Sequence, residues 1–175
     1  MSLEDLRFPI GRFEIPADPI AEFDAFVDAI ERTPAEMRRA VAGLDDTQLD
    51  TPYRPEGWTL RQVVHHVADS HVNAYTRCKL GVTESNPAIK LYDEKLWAEL
   101  DDGRSAPIEV SLALLEALHV RWVRFLRSLD EGDLRRTFVH PDYGEITVGM
   151  TLAMYAWHGR HHVAHITGLR ERNGW

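Results

Sequence analysis

The chain has 175 residues, of which 44% are apolar and 27% charged, the proportions of one globular domain large enough to bury a substantial core. Twenty basic against 28 acidic residues leave a net charge of −8, which argues against nucleic acid or an anionic membrane as partner, since both demand clustered Lys and Arg. A single cysteine, Cys78, rules out an internal disulfide, and no apolar run approaches the ~20 residues of a membrane span. MSLEDLRFPIGRF lacks the basic and apolar regions of a secretion signal, so a single cytoplasmic domain over residues 1–175 is expected.

The first 18 residues carry Pro9, Gly11, Pro16 and Asp18, punctuation that predicts an extended arm. From Pro19 a helical stripe runs through Ile20, Phe23, Phe26, Val27 and Ile30, with a kink or restart expected at Pro34. Thr59 with Gln62 three residues on forms a capping-box pattern, and the helix it opens runs through LRQVVHHVADSHVNAYTRCKL. A short helix is expected at DEKLWAEL. A long one follows Pro107, with Val110, Leu114, Leu118, Trp122 and Phe125 on its stripe. TFVHPDYGEITV reads as two short strands around a turn, and a last helix runs from near Gly149 to about residue 171. Four long helices in so short a chain predict an all-α fold, a four-helix bundle with a short inserted β-hairpin and an extended N-terminal arm.

The last helix carries WHGRHHVAH, with four of the chain's nine histidines. At about 100° per residue, His158, His161, His162 and His165 share an arc of roughly 100°, beside Met154 and Leu169. They therefore lie on or beside the inward face. His158 with His162 and His161 with His165 have the i,i+4 spacing that stacks two imidazoles one turn apart for a metal. A third ligand must come from elsewhere, and VVHHVADSH on the second helix offers His65, His66 and His71. His66 shares a polar stripe with Gln62, Asp69, Ser70, Asn73 and Arg77, as a water-filled site inside a bundle requires.

Plainer roles compete with this one. His71 falls mid-face among apolar residues, where a hydrogen-bonded core histidine is the simpler role, and His119 and His140 are expected to be structural or superficial. The terminal cluster could itself be a polar seam satisfied by hydrogen bonds between helices. Trp58, Trp97, Trp122 and Trp157 are expected in the core, and Cys78, one turn beyond Ala74 on the apolar stripe, as inert packing.

GWTLRQVVHHVADSH together with YAWHGRHHVAHI resembles the DinB/YfiT superfamily, in its YfiT-type branch of metal-dependent hydrolases. LRFPIGRFE, LDTPYRPEGW and SLALLEALHVRWVRFLRSL add to the likeness, which spans nearly the whole chain. The resemblance implies a four-helix bundle, a homodimer, and one divalent metal per chain held by one histidine of the second helix and two of the last. The family's second-helix ligand stands eight residues after a tryptophan, Trp58 here, which selects His66. Its terminal pair matches His161 and His165, leaving His158 and His162 to support them.

Three neutral imidazoles suit zinc or nickel, among other first-row metals, and leave a position open for a nucleophile. Two nucleophiles divide the possible activities. A metal-activated thiol would serve an S-transferase similar to the bacillithiol S-transferases, with bacillithiol or a similar thiol as cosubstrate and no protein base strictly required. Metal-bound hydroxide would serve a hydrolase. That needs an acid or base, and the nearest candidate in sequence is Asp69, since no HExxH glutamate exists. Arg77 and Arg160 are candidate cationic contacts for the carboxylates of a thiol cofactor. The third possibility is a non-enzymatic metal- or ligand-binding protein. In each case the partner is a small molecule.

Overall fold

The computed structural model describes residues 2–175. Its elements in chain order are α1 (Leu3–Arg7), α2 (Phe23–Val41), α3 (Asp46–Leu49), α4 (Leu60–Thr83), α5 (Glu94–Ala98), α6 (Asp101–Arg104), α7 (Ile108–Leu126), α8 (Glu131–Arg135), β1 (Thr137–His140), β2 (Gly144–Thr147) and α9 (Val148–Asn173). The long helices α2, α4, α7 and α9 pack into a four-helix bundle, α2 against α9 and α7, and α4 against α7 and α9. Strands β1 and β2 form the expected antiparallel hairpin, with Phe138 opposite Ile146. Their side chains close over Ile89 at one end of the bundle.

Local chemistry sets the boundaries. At α4 the Thr59 hydroxyl accepts from the Gln62 amide at 3.1 Å while the Gln62 side chain accepts from the Thr59 amide at 3.0 Å, so the capping box closes in both directions. At the other end of the chain, α9 starts behind the Thr147 hydroxyl and stops at Gly174, whose φ of +68° is a left-handed cap. The N-terminal arm departs from the expected extended form. Ser2 and Asp5 make a reciprocal capping box and wind Leu3–Arg7 into a short helix, a pairing that the neighbouring prolines obscured.

Pro34 also departs from expectation, since α2 continues through it without a restart. Proline has no N–H, so the carbonyl of Ile30, four residues back, loses its partner in the helix. It finds another across the bundle: the His119 Nδ1–H donates to it at 2.7 Å. A tertiary hydrogen bond thus offsets the local defect.

Two apolar clusters fill the bundle. One holds Met37, Val63, Val67, Leu112, Leu115 and Ile166; the other holds Ile30, Ala74, Trp122, Leu126, Leu152 and Ala156. On each long helix the switch from one cluster to the other falls on a polar or irregular residue: Pro34 on α2, His71 on α4, His119 on α7, His158 on α9. A polar layer therefore crosses the bundle at mid-height, and the candidate site opens beside it.

Candidate metal centre

Five imidazoles from two helices meet there. From α4 comes His66, whose ring centroid lies 4.8 Å from that of His162 and 5.4 Å from that of His158. From α9 come His158, His161, His162 and His165, and the rings of His161 and His165 are 4.3 Å apart. The donor atoms of His161, His162 and His165 lie within 4.8 Å of one another, as do those of His66, His158 and His162. His162 belongs to both sets. The trio expected from sequence is thus gathered into one cluster but divided between its two halves, His161 and His165 in one and His66 in the other.

The donor chemistry fits a metal. The Nε2–H of His165 donates to the Arg7 carbonyl at 3.1 Å, which leaves the lone pair on Nδ1; a metal-binding histidine is oriented in the same way by a carbonyl behind it. That Nδ1 lies 3.4 Å from Nδ1 of His162. The Nδ1 of His161 is buried without any hydrogen-bond partner, an uncompensated cost unless something binds there. Burial keeps all five rings neutral. It pushes His66 and His161 down to about 4, with the neighbouring His161 also acting on His66. Burial and then His161 push His165 down to about 3, and His158 and His162 fall well below the ordinary value. Neutral imidazole is the form that binds a cation.

His65, adjacent to His66, plays no part. Its Nε2–H donates to the Ala106 carbonyl at 3.1 Å and its Nδ1 accepts from the Ser111 hydroxyl at 2.7 Å. His71 is fully buried and hydrogen-bonded to two other histidines.

A cleft of about 600 Å³ opens over the cluster, walled by Tyr53, Trp58 and Trp157 and closed on one side by Arg7 and Phe8 of the arm. Tyr53 stacks on His165 at 4.0 Å and Trp157 on His161 at 4.3 Å. Trp122 is in the core as expected and Trp97 is 39% exposed; Trp58 packs against the core while also lining the cleft, and Trp157 lines the cleft. A second cavity of about 820 Å³ adjoins it and holds Arg77, Tyr92, His140, Tyr143 and Met154. His158, Phe8, Trp157, Glu94 and Lys95 border both.

The remaining sequence candidates fare unequally. Arg77 reaches the second cavity and makes no ion pair among the described residues, its one hydrogen bond being 3.5 Å long to the Lys90 carbonyl. Arg160 is exposed on a shallow outer depression, its Nε–H donating to the Ala156 carbonyl. Asp69 is half-buried, and burial, then Asp102, push its carboxyl up to about 6, yet it lines neither cavity. The carboxylate that does border both is Glu94, raised by desolvation, with Lys95 opposing and Asp93 adding. Its one signal in the sequence was a place in a short helical segment, DEKLWAEL, with nothing to tie that segment to the histidines.

A bundle with an inserted hairpin and a cluster of neutral imidazoles opening into a cleft defines a class of histidine-rich, metal-competent four-helix proteins. The chain belongs to the DinB superfamily, whose sequence profile matches residues 29–166. It is 53% identical over 174 residues to a protein of Bacillus mycoides (strain KBAB4), covering 99% of this chain and 100% of that one, and 54% identical over 175 residues to one of Bacillus cereus (strain AH820), with the same coverage; both bear the name "Putative metal-dependent hydrolase". The solved structure of YfiT from Bacillus subtilis, described as "a probable metal-dependent hydrolase with an unusual four-helix bundle topology", superposes with a TM-score of 0.94 at 48% identity, covering 98% of this chain and 99% of that one.

Proposed function

We propose that this protein is a metal-dependent enzyme in which a divalent ion, zinc or nickel, held by His66, His161 and His165, activates a small thiol for transfer to an electrophile. When bound, the ion supplies a Lewis acid that stabilises the thiolate at neutral pH. The observation that carries this reading is the pair of cavities, about 600 and 820 Å³, that meet at His158. Two organic reactants need two compartments with a shared boundary, whereas water needs almost no room. The thiol's sulfur forms a bond to the electrophilic carbon, the leaving group departs with its electron pair, and the thiol proton passes out through the cleft. Arg77, which makes no ion pair among the described residues, would hold an anionic group of one reactant in the larger cavity. Trp58 and Trp157 exclude water from the reacting atoms. Bacillithiol or a similar thiol is the proposed cosubstrate, and a homodimer the proposed assembly.

A hydrolase is the second reading, favoured by Glu94 on the shared wall and by the names of the relatives. Its partly desolvated carboxyl would take a proton from attacking water and return it to the leaving group. Asp69 is the less favoured carboxylate, because it lines neither cavity.

The experiment is conjugation of a haloarene by the metal-loaded protein, with and without bacillithiol. Conjugate formed only with thiol supports transfer. Steady cleavage of an ester or amide without thiol, lost in Glu94→Gln, would sink it and establish the hydrolase.

A further inference from the structure

The second cavity runs from the imidazoles toward the hairpin, and its two ends differ in chemistry. Phe8, Trp157, Glu94 and Lys95 stand at the end shared with the cleft. Arg77 stands eleven residues beyond His66 on α4, roughly 16 Å along the axis at about 1.5 Å per residue. With it is His140, the last residue of β1 and only 7% exposed. The His140 Nδ1 receives the Asp142 amide at 3.2 Å, and an amide N–H can only donate. Neutral His140 therefore carries its proton on Nε2, which meets no partner among the described residues. Burial, then the charge of Arg77, hold the ring neutral against Asp142. Arg77 itself makes one hydrogen bond, 3.5 Å long, to the Lys90 carbonyl. The other cations on the lining are engaged: Arg12 pairs with Glu4 at 2.6 Å, and Lys95 offsets Glu94. Of the remaining carboxylates, Asp142 is exposed and Asp93 caps α5. A guanidinium and an imidazole N–H, neither of them satisfied, make a fork for one anionic group.

We propose that the second cavity binds the electrophile as an elongated arylalkanoate, its aromatic body directed at the imidazole cluster and its one carboxylate held by the Arg77 guanidinium and the His140 Nε2–H. The volume, about 820 Å³, suits a small organic molecule rather than a solvent channel. Leu91, Tyr92, Met150 and Met154 supply an apolar and aromatic wall, and polarisable Met side chains pack well on rings. Glu94, at the shared end, disfavours a second negative charge near the metal, so a monocarboxylate is selected over a dicarboxylate. Arg77 and His140 are specificity-determining residues that touch the substrate far from its reacting atom. The electrophile's part in the reaction rests on the thiol-transfer reading; the carboxylate subsite does not.

Equilibrium dialysis of the metal-free protein against 4-phenylbutyrate, and against 4-phenylbutan-1-ol as its uncharged counterpart, tests the subsite. The acid should bind at least about tenfold more tightly than the alcohol, as charge-assisted hydrogen bonds require. Arg77→Leu and His140→Leu should each erase most of that preference while leaving affinity for the alcohol unchanged, which shows the cavity intact. His140→Gln, whose amide N–H can still donate, should keep most of it. In cobalt-loaded protein, paramagnetic broadening should be greater for the ring protons of 4-phenylbutyrate than for the methylene beside its carboxylate. No preference for the acid in unaltered protein, or a preference that survives both leucine variants, overturns the proposal. Greatest broadening beside the carboxylate also overturns it, because that group would then sit on the metal. Failure of conjugation with thiol, with these affinities as expected, refutes the transferase reading and leaves the subsite standing.

Discussion

Each imidazole of the cluster gives up hydration for contact with other imidazoles, and that exchange governs how the site meets protons and metal. At neutral pH the rings carry no proton that a cation must displace. Removing one of three ligands leaves a two-nitrogen site, so His66→Ala, His161→Ala and His165→Ala are each expected to lower metal affinity at least tenfold, checked by metal content after dialysis. Full occupancy in His66→Ala would place the ion on His161, His162 and His165, whereas loss in both His158→Ala and His162→Ala would place it on His66, His158 and His162. Acid acts in a fixed direction. Unfolded histidine takes up its proton near 6.5, whereas folded His66 and His161 resist until about 4. Between those values the unfolded chain binds more protons, so stability is complete above 6.5 and is lost as the pH falls toward 4. Thermal unfolding of metal-free protein should show a Tm that is level above neutrality and falls steadily through that window, and bound metal should be released over the same descent.

Among the elements, the contact of α2 with α9 brings the proline-freed carbonyl and the histidine helix to one height. Gly159 makes this approach possible. A Cβ there would sit 2.5 Å from Oγ1 and 2.7 Å from Cγ2 of Thr33, and Thr33 cannot swing away, because its hydroxyl is bound to the Ala29 carbonyl at 3.0 Å and its β-branch is stiff. Gly159→Ala should therefore destabilise by about 1–3 kcal/mol despite the better helix propensity of alanine, seen as a lower urea midpoint. Gly168→Ala is the contrast on the same helix. There a Cβ meets only the guanidinium end of Arg172 at 3.3 Å, and the substitution should be neutral or stabilise by up to ~1 kcal/mol.

At the scale of the molecule, apolar clusters on both sides of the polar layer hold the bundle, so the metal is not a staple. Chelation should remove the stabilisation that binding supplies, about 2.7 kcal/mol when the ion stands at a hundred times its Kd, and lower Tm accordingly. It should leave helical circular dichroism and a single cooperative transition. A collapse of helicity on chelation would contradict this. The chain's own thiol is excluded from the chemistry by the same packing. Cys78 is fully buried and burial pushes its thiol up to about 12, so Cys78→Ser should retain conjugating activity in the presence of added thiol.

The sequence alone was sufficient for the four long helices, the hairpin, the Thr59 cap and the gathering of His66 with the histidines of α9, but not for how that cluster divides into two sets of donors. These depend on period, on caps and on spacing along single helices, which are local properties written in neighbouring residues. It could not reveal that Arg7 and Phe8 of the arm close over the histidines, that Glu94 borders the cleft, or that Asp69 and Arg160 do not. Those facts depend on how separate segments lie against one another, and no periodicity carries that information. Pro34 shows both sides. Its missing N–H was evident and argued for a broken helix, but only the packing of α7 on α2 could supply His119 to the stranded carbonyl. A backbone defect that looks local is satisfied by a residue 89 positions away along the chain.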